Sequence, residues 1–210
     1  FTDYYEPLRL DGNKDELTKY LHSEMATRQI SCVELRWAVP SPISELKSNY
    51  HYHILKLDGG INEVEKNIKH SHRSNINQAL RNNLRVEISN CSSSTKEFYR
   101  LHLNTRKKHG VPIQPWKFFE SIQTELLDNN LGFTILVYDQ QRCISGLMCL
   151  YWNKTLTAKF SASDNSMMHL RPNNLMFYEA IRWGCENGYE VFDFGKTDSE
   201  NQGLDRKSVV

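Results

Sequence analysis

Residues 171–197, RPNNLMFYEAIRWGCENGYEVFDFGKT, limit the possible folds more than any other stretch. They read as loop, helix, tight turn, strand and functional loop. Pro172 with Asn173 and Asn174 supplies a turn and an N-cap, and Leu175, Met176, Ala180, Ile181, Trp183 and Gly184 recur at the spacing of one helix face. Gly188 ends that helix at a position where a left-handed backbone costs little. In the apolar run Val191–Phe194, Phe192 and Phe194 share one strand face and leave Asp193 on the other, with Gly195 and Lys196 at the strand's end. A helix packed on a strand that ends in an acid, a glycine and a base is a common frame for an anion-binding or catalytic cleft.

Upstream, Asn13 caps a helix over Asp15–Gln29 whose apolar positions are Leu17, Tyr20, Leu21 and Met25. Strands are expected at Cys32–Val39 and Tyr50–Leu57, separated by the turn at Pro40-Ser41-Pro42. Ile61–Ile68 and Arg73–Asn82 read as helices, and the polar His70-Ser71-His72-Arg73 between them reads as a boundary between two lobes. After a strand at Leu84–Ser89, Ser93 or Ser94 caps a long helix to His109 with Phe98, Leu101 and Thr105 on one face, and Gly110-Val111-Pro112 stops it. Trp116, Phe119, Ile122 and Leu126 mark the next helix. Three strands in hairpin succession follow at Phe133–Tyr138, Ile144–Trp152 and Thr155–Ser161. Strict alternation puts Lys159 on the face opposite Leu156, Ala158 and Phe160. The order of elements predicts a mixed α+β fold.

Pro172-Asn173-Asn174-Leu175, Ala180-Ile181-Arg182-Trp183 and Gly188-Tyr-Glu-Val-Phe-Asp-Phe-Gly-Lys196 resemble the C-terminal signature of the Fem-type branch of GNAT acyltransferases, the peptidoglycan bridge-forming aminoacyltransferases and their relatives. The resemblance extends to His72–Ala79, Phe98–Gly110 and Asn201-Gln202-Gly203-Leu204, and so covers roughly residues 69 to 204. It implies a GNAT fold with a partial N-terminal GNAT-like lobe over 1–68 and a C-terminal GNAT lobe over 69–210, truncated at its last strand. The outer edge of the strand at Glu190–Phe194 is then expected to lack a neighbour, with residues 204–210 poorly packed or paired with another molecule. The chain starts at Phe1 without a leader, which suggests that it begins inside a longer protein.

The implied activity moves an activated acyl group onto an acceptor amine, in the setting of cell-envelope biogenesis. No separate cofactor is expected; the donor is an aminoacyl-tRNA or an acyl-coenzyme A, and the acceptor a cell-envelope precursor. GNAT enzymes grip the pyrophosphate of coenzyme A with a glycine-rich turn before the central helix, where free backbone N–H groups meet phosphate. Here Asp164-Asn-Ser-Met-Met-His-Leu-Arg-Pro-Asn-Asn174 has no glycine, which argues for the bulkier donor. Two rival readings stand beside this one: an ordinary coenzyme A-dependent acetyltransferase, and a catalytically silent lobe that binds a partner or a wall precursor.

Arg73 heads a polar helix where the family places a base for acceptor phosphate or carboxylate, and Lys196 is placed to neutralise a diphosphate or the oxyanion of acyl transfer. Arg73 and Lys196 are expected to line one cleft. Asp164, at the end of the third hairpin strand, is the candidate general base, while Lys159, Asn173, Tyr178 and Asp193 are the further candidates for substrate contact. Each has a plainer reading as cap, salt-bridge partner or surface side chain.

Composition narrows the rest. A net charge of +1 provides no long-range attraction to nucleic acid or anionic membrane, so any such partner must be held by a local patch. No apolar run reaches the ~20 residues that span a bilayer. Five scattered cysteines suit a reducing cytoplasm rather than a disulfide framework. His51-x-His53 and His70-x-His72 have no cysteine or acid at metal-ligand spacing, and Gly-x-Ser-x-Gly, Walker and GxGxxG motifs are missing.

Overall fold

The computed structural model describes residues 14–35, 45, 50–108 and 110–198. It divides into two units. The smaller runs to His51 and contains helix α1 (Lys14–Arg28), which carries an exposed Glu24–Arg28 ion pair one turn apart. The larger runs from Tyr52 to Thr197. The division therefore falls between His51 and Tyr52. The physical reason is that Leu57 and Val64 are buried in the same core as Met176 and Ala180.

Within the larger unit, strand β1 (Tyr50–Lys56) supplies Tyr52–Lys56, followed by α2 (Gly60–Asn67), α3 (His70–Arg81), β2 (Arg85–Ser89), α4 (Ser92–Lys108) and α5 (Trp116–Ile122). The last of these runs into a π-helical turn over Gln123–Leu127. Then come β3 (Gly132–Asp139), β4 (Arg142–Trp152), β5 (Thr155–Ser163), a 3-10 helix at Asn165–Leu170, α6 (Pro172–Glu186) and β6 (Val191–Asp198). The sheet order is β1-β6-β5-β4-β3-β2, antiparallel from β2 to β5 and parallel between β5 and β6.

Helices cover both sheet faces. Ile76, Ala79, Met176 and Ala180 of α3 and α6 pack on Ile135, Leu147, Leu156 and Phe192, while Phe98, Leu101 and Phe119 of α4 and α5 pack on Leu136 and Met148 from the other side. Covering both faces explains why β3 and β4 are apolar along most of their length instead of alternating. Each large side chain so buried contributes ~1.5 to 3 kcal/mol. Gly184 lets α6 approach closely, since a Cβ there would lie 2.9 Å from Leu57 Cδ1.

Several local expectations give way to longer-range contacts. Cys32–Leu35 is not a strand, and the remainder of that expected strand lies outside the described residues. His70–Arg73 is the first turn of α3, not a linker. Ser93 and Ser94 lie inside α4, whose first turn is bonded from Ser94 and Thr95 N–H to the Cys91 carbonyl. Arg171, in the left-handed region at φ 61°, precedes α6; Pro172 takes the first turn, and neither Asn173 nor Asn174 caps it. Gly188 closes the helix at φ 72°, as expected. Gly195 and Lys196 belong to β6, which is longer than the apolar run suggested. The outer neighbour expected to be missing from β6 is present as β1, and Leu57 N–H also bonds to the Glu190 carbonyl at 2.8 Å. The expectation for residues 204–210 lies outside the described residues.

Candidate functional site

β5 and β6 pair only at Thr155/Val191, Leu156/Phe192 and Thr157/Asp193, yet β5 continues to Ser163 and β6 to Asp198. Two backbone irregularities accompany this parting. In the β4/β5 register Met148 opposes Phe160 and Cys149 opposes Ala158, so Lys159 is the extra residue of a β-bulge. On β6, Gly195 takes φ 80° and donates its N–H to Asp193 Oδ1 at 2.7 Å. Past Thr157 and Asp193 the ladder no longer joins the two strands, and an opening of this kind offers backbone donors and acceptors to an extended polar ligand.

The bulge also corrects the side-chain assignment on β5. Leu156 and Ala158 pack in the α6 core, whereas Phe160 packs with Phe118 and Phe119 under α4 and α5. One inserted residue inverts the alternation, so Lys159 is not simply opposite all three.

Lys159 and Asp164 stand on the β5 side of the opening, and Asp193 and Lys196 on the β6 side. Asp164 accepts from Ser166 N–H at 3.0 Å and Ser166 Oγ at 2.7 Å, capping the 3-10 helix, and pairs with Arg142. Hydrogen bonds from Ser166, with the Arg142 charge, hold its carboxyl below the ordinary value. Asn173 Oδ1 accepts from Ser145 Oγ at 2.6 Å and Ser163 Oγ at 2.7 Å, which ties α6 to β4 and β5. Asp193 is only 8% exposed, and its second oxygen accepts from Tyr52 Oη at 2.5 Å. Its two oxygens thus tie β6 to Tyr52 and to its own turn at Gly195. Tyr52 could not be found from sequence, because it reaches Asp193 across a gap of 141 residues.

A separate cleft of about 840 Å³ lies among α2, α3 and α6, lined by Asn62, Glu65, Lys66, Arg73, Asn77 and Tyr178 together with three aliphatic side chains. Arg73 donates to the Glu65 carbonyl, and Tyr178 Oη donates to Glu65 Oε1 at 2.6 Å. Burial, with the Glu65 hydrogen bond second, pushes the Tyr178 hydroxyl up to about 12, so it acts as a neutral donor. Lys196 stands on β6 and is not among the side chains that line this cleft.

The 3-10 helix before α6 is docked on α3. Gln78 Nε2 donates to the His169 carbonyl at 3.2 Å and Asn82 Nδ2 to the Leu170 carbonyl at 3.4 Å. The glycine-free entry to α6 is thus built from a side-chain-fastened turn. Among the described residues no group of three His, Cys, Asp or Glu side chains is placed to hold a metal ion.

The family model described as "Acetyltransferase (GNAT) domain" matches residues 67–202. The chain belongs to the GNAT acetyltransferase family. It is an acyltransferase of the Fem-like branch, and its fold is similar to that in the crystal structure of FemX, at a TM-score of 0.67, 17% identity, 93% of this chain and 73% of that one. The structure of L-PGS from Bacillus licheniformis is similar at a TM-score of 0.57 and 12% identity, over 93% of this chain and 61% of that one. The C-terminal domain of a putative lysylphosphatidylglycerol synthetase from Agrobacterium fabrum is similar at 0.52 and 12% identity, over 74% and 51%. No curated protein matches the chain in sequence. In this GNAT chain no helix among the described residues is long and apolar enough to cross a membrane.

Proposed function

We propose that this GNAT chain is an aminoacyltransferase of bacterial cell-envelope biogenesis, working in the cytoplasm, with its activated acyl donor lying in the opening between β5 and β6. The observation that carries this reading is the three-residue limit of β5/β6 pairing, bounded by the bulge at Lys159 and the positive φ of Gly195. The acceptor amine attacks the acyl carbonyl carbon and the carbonyl electrons move to oxygen; as they return the ester C–O bond breaks, the C–N bond is kept, and the surplus proton on nitrogen passes to the departing oxygen. Backbone N–H groups at the parting strands and the ammonium of Lys196 stabilise the oxyanion. Asp164 is committed to its cap, so most of the rate comes from holding amine and ester together.

Arg73 and Tyr178 serve an anionic portion of a substrate in the α2/α3/α6 cleft, where a guanidinium and a neutral hydroxyl suit phosphate or carboxylate. Two features support an aminoacyl ester over acyl-coenzyme A: the glycine-free 3-10 entry to α6, and the fold shared with FemX and L-PGS. The deciding experiment incubates the protein with a panel of aminoacyl-tRNAs or with acetyl-coenzyme A, plus amine acceptors, and reads products by mass spectrometry. Turnover with an aminoacyl-tRNA is expected. Turnover with acetyl-coenzyme A alone makes the chain an ordinary acetyltransferase, and binding of the donors without turnover makes it a binding module.

A further inference from the structure

The cleft among α2, α3 and α6 is lined by charges of both signs. On α3, Arg73, Ile76 and Leu80 follow one another at spacings of three and four residues and so form one stripe toward the cleft, and on α2 the cleft meets Glu65 and Lys66. Ile68 and Ile76 are buried whereas Leu80 is about half exposed, so an aliphatic wall reaches from the core to the surface beside the charged groups.

Glu65 and Arg73 do not neutralise each other. The Arg73 guanidinium donates to the Glu65 main-chain carbonyl and not to its carboxylate, while Tyr178 Oη on α6 donates to Glu65 Oε1 at 2.6 Å. Among the described residues neither Glu65 nor Arg73 enters an ion pair. The nearby charges are already matched, since Lys66 pairs with Glu63 at 3.3 Å and Arg182, the cation beside Tyr178, pairs with Glu179. Glu65 Oε2 and the remaining N–H groups of the Arg73 fork are therefore left to a ligand.

A ligand of a single sign satisfies one of these groups and is repelled by the other. A metal ion meets one carboxylate and an opposing guanidinium, which disfavours it. A ligand with an ammonium at one end and an anionic group at the other satisfies both, and a carbon chain between them can cover the aliphatic wall.

We propose that the α2/α3/α6 cleft binds an aliphatic zwitterion, its ammonium on Glu65, its carboxylate or phosphate on Arg73 and its carbon chain along Ile76 and Leu80. The inference rests on the reading of this cleft as a substrate site and narrows it, because Glu65 becomes the specificity determinant that rejects purely anionic ligands.

The test needs no acyl donor, which separates its failure from failure of the transferase reading. Amide resonances of α2 and α3 in the full chain are followed by NMR while 6-aminohexanoate, O-phosphoethanolamine, hexanoate, ethyl phosphate and hexylamine are titrated in separate arms. One of the two zwitterions should saturate at a concentration at least about 10-fold below its singly charged analogues, and which of the two does so identifies the anionic group as carboxylate or phosphate. Glu65→Gln keeps an oxygen for the Tyr178 hydroxyl and removes the charge. It should weaken zwitterion binding about 10-fold or more and leave hexanoate and ethyl phosphate bound as before or tighter. Arg73→Met, which keeps the stem, should bring zwitterion affinity down to that of hexylamine. An anion that binds wild type as tightly as the zwitterions overturns the proposal and leaves Arg73 serving a purely anionic group. Equal weakening of every probe by Glu65→Gln also overturns it, by marking Glu65 as structural. The lack of any saturable shift overturns both the proposal and the use of this cleft for substrate, while turnover with an aminoacyl-tRNA would still uphold the transferase reading.

Discussion

The Tyr52 hydroxyl donates to one oxygen of Asp193 at 2.5 Å while the other oxygen accepts from Gly195 N–H at 2.7 Å. A residue of β1 thereby holds the carboxylate that shapes β6 at the last step of its pairing with β5. Tyr52→Phe removes only the hydroxyl, and is expected to destabilise the fold by about 1.5 to 3 kcal/mol, the cost of losing a hydrogen bond to a charged, largely buried acceptor. Urea denaturation of the variant checks this. A midpoint equal to that of wild type would show that the contact shapes nothing.

Asp164 predicts a pH dependence of known sign. Its native pKa is depressed from 3.8 by Ser166 and Arg142, so its contribution to stability is fully present above the ordinary carboxylate range and is lost as pH falls through the native value. Asp164→Asn should melt below wild type at neutral pH, and the gap should close as the pH falls below the ordinary carboxylate range. Its kcat should stay within severalfold of wild type, because capping and not proton transfer is its role. A collapse of kcat with an unchanged melting temperature would restore Asp164 as the general base.

Arg73→Ala and Lys196→Ala should each raise KM or lower kcat/KM by ~1 to 3 kcal/mol of lost charge-assisted contact, with little change in melting temperature. Arg73 lines the α2/α3/α6 cleft and Lys196 stands on β6, and if they serve separate parts of the substrate the losses should add in the double variant, apart from a few tenths of a kcal/mol. Steady-state kinetics of the four proteins tests both statements, and strong non-additivity would mean one shared site.

Tyr178→Phe is expected to weaken substrate binding without changing the pH–rate profile between pH 6 and about 9, since burial keeps this hydroxyl neutral up to about 12. Disappearance of a basic limb in the profile would show that the phenol titrates during turnover.

Gly132→Ala should be among the costlier single-methyl changes in the chain. A Cβ at Gly132 would lie 2.6 Å from the Cys149 carbonyl oxygen, and the β4 backbone it meets is held in the β3/β4 ladder and has little room to yield. A loss of ~1 to 3 kcal/mol is expected from chemical denaturation.

What the chain reveals by itself is whatever repeats at short range. Leu175, Met176, Ala180 and Ile181 recur at helical spacing and are all buried on α6, and Gly188 closes that helix in the left-handed conformation that its lack of a Cβ allows. The three hairpin strands and the mixed α+β order were legible for the same reason, as was membership of the Fem-like GNAT branch from Gly188–Lys196 and His72–Ala79. Tertiary structure decided the rest, because pairing partners far apart in sequence set register and side-chain roles. The bulge at Lys159 exists only through the β4 register, and it sends Phe160 to the face away from Leu156. Asn173 became a tie to Ser145 and Ser163 once α6 packed across β4 and β5, and Asp193 became a buried clamp once β1 brought Tyr52 beside β6.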